Sequence, residues 1–290
     1  MTLPFALPAP AGQAFSPVHD GSNFVCGDKV TPVLEYSENF AGWSDDLTAL
    51  HESAAGDRHV IDLASRRDAM TQVSQALPSG RGVIMEIGCS SGFLIKDLAN
   101  AFPQAVVIGA DVVKEPLYKL AKALPGVPLI RFDLLQCPLP EACVDVLVML
   151  NVLEHIEDDA SALKNAFKLL KPGGSLIIEV PAGQYLYDSY DAQLHHFRRY
   201  AASELRLKLE AVGFVVSRRS HLGFILFPFF AAVKLINKMR KKSQIVVHKQ
   251  AARTSSSAFV AYAMNLESRL SNLLSLPFGI RVLMTARRNV

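Results

Sequence analysis

Apolar residues follow two rhythms along this chain. Between His59 and Leu77 they recur at helical spacing, at Val60, Ile61, Ala64, Ala69, Val73 and Leu77, until Pro78, Ser79 and Gly80 stop the pattern. Beyond that point near-continuous apolar runs alternate with helical stretches. The runs predict strands over 83–87, 105–110, 128–132, 144–150 and 175–180, and the helical spacing predicts helices over 92–101, 114–124, 158–170 and 203–212. Residues 214–217 and 280–286 read as a sixth and a seventh strand. Strands apolar on both faces, alternating with helices, imply an α/β fold with a doubly wound parallel sheet covered on both sides.

The same pattern divides the chain. Residues 1–58 are rich in Pro, Gly and Ser without a sustained period, and an irregular arm with one short helix is expected there. Residues 59–219 form the core, 220–277 a helical insertion between strands six and seven, and 278–290 the strand that completes the sheet. An insertion of that length far exceeds an ordinary connection. It opens with HLGFILFPFFAAVKLINKMRKK, whose apolar stretch over 222–233 is too short to span a bilayer. From Phe229 onward, Phe229, Phe230, Val233, Ile236 and Met239 fall on one helical face. Lys234, Asn237, Lys238, Arg240, Lys241 and Lys242 fall elsewhere. That is a basic amphipathic helix of the kind that lies in a membrane interface. A second stripe follows at Phe259, Tyr262, Leu266, Leu270, Leu273 and Leu274. The alternative is a capping subdomain whose apolar faces pack on each other.

Charge sharpens the division. The net charge of +3 combines 17 Lys+Arg against 26 Asp+Glu in residues 1–217 with 13 against one, Glu267, in 218–290. An acidic body with a basic last quarter suits an anionic surface, membrane or nucleic acid, and equally a solvated basic face. The four cysteines, Cys26, Cys89, Cys137 and Cys143, form no CxxC pair, and no histidine cluster completes a zinc pattern. Reduced thiols in a cytoplasmic chain, and no metal, are expected. The start, MTLPFALPAPAGQAF, has no basic region and is cut by Pro4, Pro8 and Pro10, so it is not read as a signal peptide.

One stretch breaks the strand rhythm. MEIGCSSGFL, residues 85–94, runs from a buried strand into a turn of small residues and then into a helix. A carboxylate at the end of such a strand, Glu86, is costly unless something binds beside it. Glycine at 88 and 92 lets the backbone approach a ligand closely, and the helix behind presents free N–H groups. Ligands of doubly wound sheets bind at the carboxyl ends of the strands. A dinucleotide fingerprint would read GxGxxG, whereas this chain has GxxxG from Gly88 to Gly92. Asp111 ends the second strand, where a carboxylate accepts from ribose hydroxyls, and Asp133 follows the third, where one could accept from an adenine amino group. Three acids on one edge repel unless a cationic or donor-rich ligand sits among them. An adenosyl group bearing a sulfonium and an α-amino group meets that need.

Five stretches, MEIGCSSG, GADVVKEPL, RFDLLQCPLP, VDVLVMLNVLEHIEDD and LKPGGSLIIEVP, occur in order within roughly residues 81–216. Together they resemble the class I S-adenosylmethionine-dependent methyltransferases. The resemblance implies a Rossmann-like, seven-stranded sheet, mostly parallel with an antiparallel last strand, and S-adenosyl-L-methionine as cofactor. It implies that Glu86, Gly88, Cys89, Ser90 and Gly92 frame the methionine part and that Asp111 and Val112 hold the ribose. Asp133 and Leu134 would lie near the adenine, and Asn151, Val152 and Leu153 would line the methyl side. Ser90 stands where many members have glycine, and a serine fits there with negative φ.

His155 would sit just beyond the fourth strand, where an imidazole can deprotonate a hydroxyl or amine acceptor, or simply fix its loop. The next loop, VPAGQYLYDSYDAQLHHFRRYAASEL, resembles a G-H-Y-R-R-Y pattern of many bacterial members. His196, Arg198, Arg199 and Tyr200 match it, and His195 stands where the pattern has glycine. His155 and His196 are therefore expected as catalytic residues, and Tyr185, Arg198, Arg199 and Tyr200 as substrate-binding residues. The two arginines could grip a phosphate or carboxylate, or salt-bridge the acidic body.

The expected function is in-line methyl transfer to a small-molecule or lipid-linked acceptor, in the cytoplasm and at the inner face of the membrane, with residues 229–242 meeting anionic lipid. RNA methylation through the basic quarter is the weaker alternative: no RNA-binding module is recognisable, and Asn151-Val152-Leu153-Glu154 stands where base-amine methyltransferases carry an NPPY-like tetrapeptide. A non-catalytic scaffold retaining the fold is the third.

Overall fold

The computed structural model describes residues 2–37, 59–240 and 274–289, with Val260, Tyr262, Met264, Leu266 and Glu267 in between; of 237–240 only the backbone is described. The strands are β1 (Val18–His19), β2 (Phe24–Cys26), β3 (Lys29–Thr31), β4 (Val33–Glu35), β5 (Val83–Ile87), β6 (Val106–Asp111), β7 (Leu129–Arg131), β8 (Val144–Leu150), β9 (Leu170–Pro181), β10 (Phe214–Leu222) and β11 (Arg281–Arg288). The helices are α1 (Val60–Ala76), α2 (Phe93–Ala101), α3 (Lys114–Ala123), α4 (Asp159–Leu169), α5 (Ser189–Gln193), α6 (Ala202–Val212) and α7 (Phe227–Arg240).

The main sheet runs β10-β11-β9-β8-β5-β6-β7-β4. From β4 to β9 every pairing is parallel, and β11 lies antiparallel between β9 and β10. The expected seven-stranded core is present in this order. Strand β5 pairs with β6 on one side and β8 on the other, so the direction of winding reverses there, and the carboxyl ends of β5 and β8 flank the crevice where such sheets bind ligands.

Burial on both faces explains the continuous apolar runs. Met85, Ile108, Leu147, Met149 and Ile178 join Leu163 and Ala166 of α4 and Leu205 and Leu209 of α6 on one side. Ile84, Val107, Val146, Val148 and Ile177 join Ala69 and Val73 of α1, Leu98 of α2 and Leu117 of α3 on the other. Helix α1 is also tied by polar groups: Arg218 of β10 donates to both oxygens of Asp68 at 2.7 and 2.9 Å, and Thr285 of β11 donates to Gln72 at 3.0 Å.

The N-terminal arm departs from its expected irregularity. Strands β1, β2 and β3 form a small antiparallel sheet, and β4 pairs in parallel with β7 as an eighth strand of the main sheet. A three-residue strand offers no period to read, so the sequence pattern passed over it. Glu35 at its end is held by Arg131 at 2.9 Å, Lys114 at 2.9 Å and the Tyr118 hydroxyl at 2.7 Å.

The insertion leaves β10 at the carboxyl edge of the sheet and starts with α7. On the face read as suited to a membrane interface, Phe229 is 76% exposed and Ile236 is also exposed. Phe230 packs inward, and so does Lys234 one turn later, only 5% exposed. The second stripe is exposed where it is described, at Tyr262, Leu266 and Leu274, while Met264 and Glu267 are buried. Glu267 accepts the N–H groups of Gly223 and Ile225, which clamps the start of the insertion. Lys241, Lys242, Phe259, Leu270 and Leu273 lie outside the described residues, as do the side chains of Met239 and Arg240. Among the described residues no helix is long and apolar enough to cross a membrane.

Candidate functional site

Strand β5 carries Glu86 to the carboxyl edge, where it is 5% exposed and its Oε2 has no hydrogen-bond partner among the described residues. Burial, reinforced by the neighbouring Asp111 carboxylate, raises its pKa well above the usual carboxylate range. Asp111, the last residue of β6, accepts the Ser90 N–H on Oδ2 at 2.8 Å and the Val113 N–H on Oδ1 at 3.0 Å. It thereby ties the turn after β5 to the turn after β6. Gly88 and Gly92 in that turn have φ of 77° and 73°, and a Cβ on either would collide with Val152 or Leu120. Ser90 has φ 45°, so it fits the turn in a left-handed conformation and not with the negative φ expected of it.

Asp133 follows β7, and its Oδ1 caps the short 3-10 turn Leu134–Gln136 by accepting the Leu135 N–H at 2.8 Å. Because β5, β6 and β7 are adjacent and parallel, the three acids stand at neighbouring strand ends. The side chains of Cys89, Leu134 and Leu153 point into the core instead, so only the backbone at these positions is available to a ligand. Burial raises the pKa of the Cys89 thiol well above the usual range. The Val112 carbonyl accepts from Arg131 Nε at 3.0 Å.

Past β8, Asn151 is held with φ 53°. Its N–H donates to the Glu179 carbonyl at 2.9 Å and its Nδ2 to Glu179 Oε1 at 3.0 Å. Glu179 is fully buried in β9 and also accepts from Ser65 at 2.9 Å and Arg281 at 2.7 Å. A 3-10 turn over Leu153–His155 then presents Glu154 and His155. The Phe197 N–H donates to the Glu154 carbonyl at 2.8 Å, which folds His196 back onto that turn. The His155 and His196 rings meet edge-on with centroids 4.6 Å apart. Beside them the Glu154 carboxyl is 1% exposed, and burial pushes its pKa up to about 8.

Asp191 of α5 organises this corner. Its Oδ1 lies 3.1 Å from His196 Nδ1 and 2.8 Å from Arg199 Nε, and its Oδ2 accepts from Lys234 Nζ at 2.9 Å and the Asp188 N–H at 3.0 Å. Lys234 also reaches Asp188 at 2.6 Å. Burial works against the Asp191 charge. Hydrogen bonds from His196 and Arg199, with the charges of Arg199 and Lys234, still hold its carboxyl far below the usual range. Burial lowers the His196 pKa, with Asp191 opposing.

The two expected catalytic histidines are thus brought together, whereas the expected substrate residues are mostly committed elsewhere. Tyr200 is 0% exposed and its hydroxyl donates to Asp159 at 2.9 Å. Arg199 is buried on Asp191 and the Ala182 carbonyl, and Arg198 pairs with Asp159 at 2.9 Å and donates to the Glu157 carbonyl. Both arginines follow the alternative of salt-bridging the acidic body. Of the four, Tyr185 alone is exposed. Sequence reasoning missed Glu154, Asp191 and Lys234. Asp191 and Lys234 lie 43 residues apart with no local signal joining them, although a lysine one turn after Phe230 in an apolar run was a cue.

Comparison with known proteins agrees with this architecture. Residues 85–178 match the family model described as a methyltransferase domain. A protein of Mycolicibacterium smegmatis named as a probable S-adenosylmethionine-dependent methyltransferase is 34% identical over 143 residues, 48% of this chain and 53% of its own length. A trans-aconitate 2-methyltransferase of an Azoarcus species is 32% identical over 116 residues, 40% of this chain and 43% of its own length. The chain spans about half the length of the curated relatives it matches. Among solved structures, a methyltransferase-fold protein from Galdieria sulphuraria aligns with a TM-score of 0.57 at 12% identity, covering 84% of this chain and 99% of that one. The cyclase SpnF aligns with a TM-score of 0.51 at 18% identity, covering 87% and 89%. At such identities the likeness is one of fold, and a cyclase on the same fold shows that the fold alone does not fix the reaction.

Two outcomes test this geometry by thermal or urea unfolding. Ser90→Gly and His195→Gly, both at left-handed positions (φ 45° and 54°), are each expected to stabilise the chain by roughly 0.5–1 kcal/mol, the strain relieved less the entropy cost of glycine. Lys234→Ala is expected to destabilise by roughly 3–5 kcal/mol, because it strips a partner from two buried carboxylates. Leu235→Ala, on the exposed side of the same helix, is expected to stay within about 0.5 kcal/mol; equal effects at 234 and 235 would contradict the inward placement of Lys234.

Proposed function

We propose that the chain, whose residues 85–178 match a methyltransferase-domain model, is an S-adenosylmethionine-dependent methyltransferase that acts on a small-molecule or lipid-linked acceptor. The observation that carries this reading is the buried Glu86 carboxyl, whose Oε2 has no hydrogen-bond partner among the described residues, beside Asp111 at a glycine turn. Such an edge has an acceptor oxygen to spare beside a second carboxylate, and the Arg66 charge acts on Glu86 less than burial and Asp111 do, so a ligand bearing a sulfonium, an amino group and ribose hydroxyls fits it. Bound there, S-adenosyl-L-methionine would supply an electrophilic methyl group and leave as a neutral thioether.

Glu86 would accept from the amino group, Asp111 from the ribose, and Asp133 would stand near the adenine. Close backbone approach at Gly88 and Gly92 supports the same reading. Asn151, Val152 and Leu153 would border the methyl side, with Glu179 fixing the Asn151 amide. Alignment is the protein's main contribution to an in-line displacement. His155 and His196, facing each other on this side, would govern loss of the acceptor's proton. The exposed Phe229, Leu235 and Ile236, with Arg240, Lys241 and Lys242 following them in sequence, favour an acceptor presented at an anionic lipid surface.

Calorimetry with S-adenosyl-L-methionine tests the core of the proposal. Saturable binding is expected, weakened at least tenfold (about 1.4 kcal/mol) by Glu86→Gln. The sign of linkage adds a second reading. A carboxyl whose folded pKa is raised favours its protonated form, so the stability it lends is present below the unfolded pKa and is lost as pH rises through the folded one. A cationic ligand favours the ionised form, so binding should release a proton, seen as a heat that varies with the ionisation enthalpy of the buffer. No heat with the nucleoside, or buffer-independent heat unchanged by Glu86→Gln, would overturn the assignment.

Co-sedimentation with vesicles tests the acceptor class. Recovery is expected with anionic but not neutral vesicles, and replacing Arg240, Lys241 and Lys242 by Ala should abolish it. Equal recovery on both would remove the lipid surface.

A further inference from the structure

We propose that Glu154, His155 and His196 bind a divalent transition-metal ion on the acceptor side of the site. One ligand atom from each lies within 4.8 Å of the others. Metal bonds of about 2.0–2.2 Å place ligand atoms roughly 3–3.5 Å apart, so side-chain rotation alone would close the set around an ion.

Two independent observations point to a ligand at this place. The Glu154 carboxyl is 1% exposed, and neither of its oxygens has a hydrogen-bond partner among the described residues. A carboxyl so buried is held protonated or, when ionised, is paired or coordinates a cation. The second observation concerns His196. Asp191 Oδ1 sits 3.1 Å from its Nδ1, which reserves the proton for that nitrogen and leaves the Nε2 lone pair for another partner. Carboxylate–histidine pairs of this kind orient metal-ligating imidazoles. Asp191 is itself balanced by Arg199 and Lys234, so its task is orientation and the ligand set stays two imidazoles and one carboxylate.

The chain gathers the three from two segments. Glu154 and His155 share one 3-10 turn, and the Phe197 N–H bond to the Glu154 carbonyl brings the neighbouring His196 to it. No spacing motif announces such a set, which is why the cysteine and histidine pattern gave no metal.

Imidazole with carboxylate selects zinc, iron, cobalt, nickel or manganese over magnesium and calcium. Three protein ligands leave coordination positions open. Those positions suit a hydroxyl acceptor, best one with a second oxygen beside it. Coordination lowers the hydroxyl's pKa, its proton leaves to water, and an oxygen lone pair then forms the bond to the methyl carbon while the carbon–sulfur electron pair stays on sulfur. This role deepens the methyltransferase reading and rests on it. The ion site does not.

The test is titration of the full chain, stripped with chelator, with zinc by calorimetry and with cobalt by visible absorption. One ion per chain is expected, with binding at least 100-fold weaker in Glu154→Gln and in His196→Ala and unchanged in His195→Gly. Binding of S-adenosyl-L-methionine is measured on the same samples. Ion binding that follows these variants supports the site whether or not the nucleoside binds. A chain that takes up no ion, or takes it up equally in Glu154→Gln and His196→Ala, overturns it, even with nucleoside binding intact.

Discussion

One carboxylate with no exposed surface, Asp191, holds the corner around the histidine pair in shape. It joins an imidazole, a guanidinium and an ammonium from two segments: His196 and Arg199 in the loop before α6, and Lys234 in the insertion. An ionised group so deeply placed is tolerated only because each oxygen is used by a charged or polar donor. The consequence is mechanical. The insertion is bolted to the loop that carries His196, so displacement of α7 is felt at the histidine pair. Two other carboxyls have the reverse character: Glu86 has one oxygen left over, and Glu154, beside the histidine pair, has both. Such unsatisfied groups stand apart from the satisfied ones that brace the fold.

Legibility in the sequence followed the physics of each element. The parallel strands announced themselves because both faces are buried, which removes the alternation a half-exposed strand would show. The order of acids and glycines after them was readable for the same reason, since strand ends and their turns are local. What failed was non-local. Strand β4 is three residues long, and its partner is nearly a hundred residues away. The inward turn of Lys234 was missed because periodicity finds an apolar face but cannot say which face is covered, and here Lys234 reaches in to two aspartates while Phe229 stays outside. Tyr200, Arg198 and Arg199 had the residue types of a binding site and the surroundings of a brace.

The backbone carries its own marks of function. Ser90, Ala142, Asn151 and His195 all have φ near 50° without being glycine, and Ser90 and Asn151 lie in the turns after β5 and β8 that flank the crevice. Two of them stand where the resembling sequences have glycine. Strain held by the surroundings is common where a turn must present its atoms in one way. Asn151 shows how it is held, with both its N–H and its amide fixed by Glu179.

Strand β11 has a bearing on how the chain is assembled. It lies between β9 and β10, yet follows both in synthesis, separated from β10 by the whole insertion. Until it emerges from the ribosome, β10 has no neighbour and the edge of β9 stands bare. A nascent chain in that state exposes a long strand edge of the sort that recruits other chains. Closure of the sheet is thus a late, long-range event, and the growing polypeptide depends on whatever shields that edge in the interval.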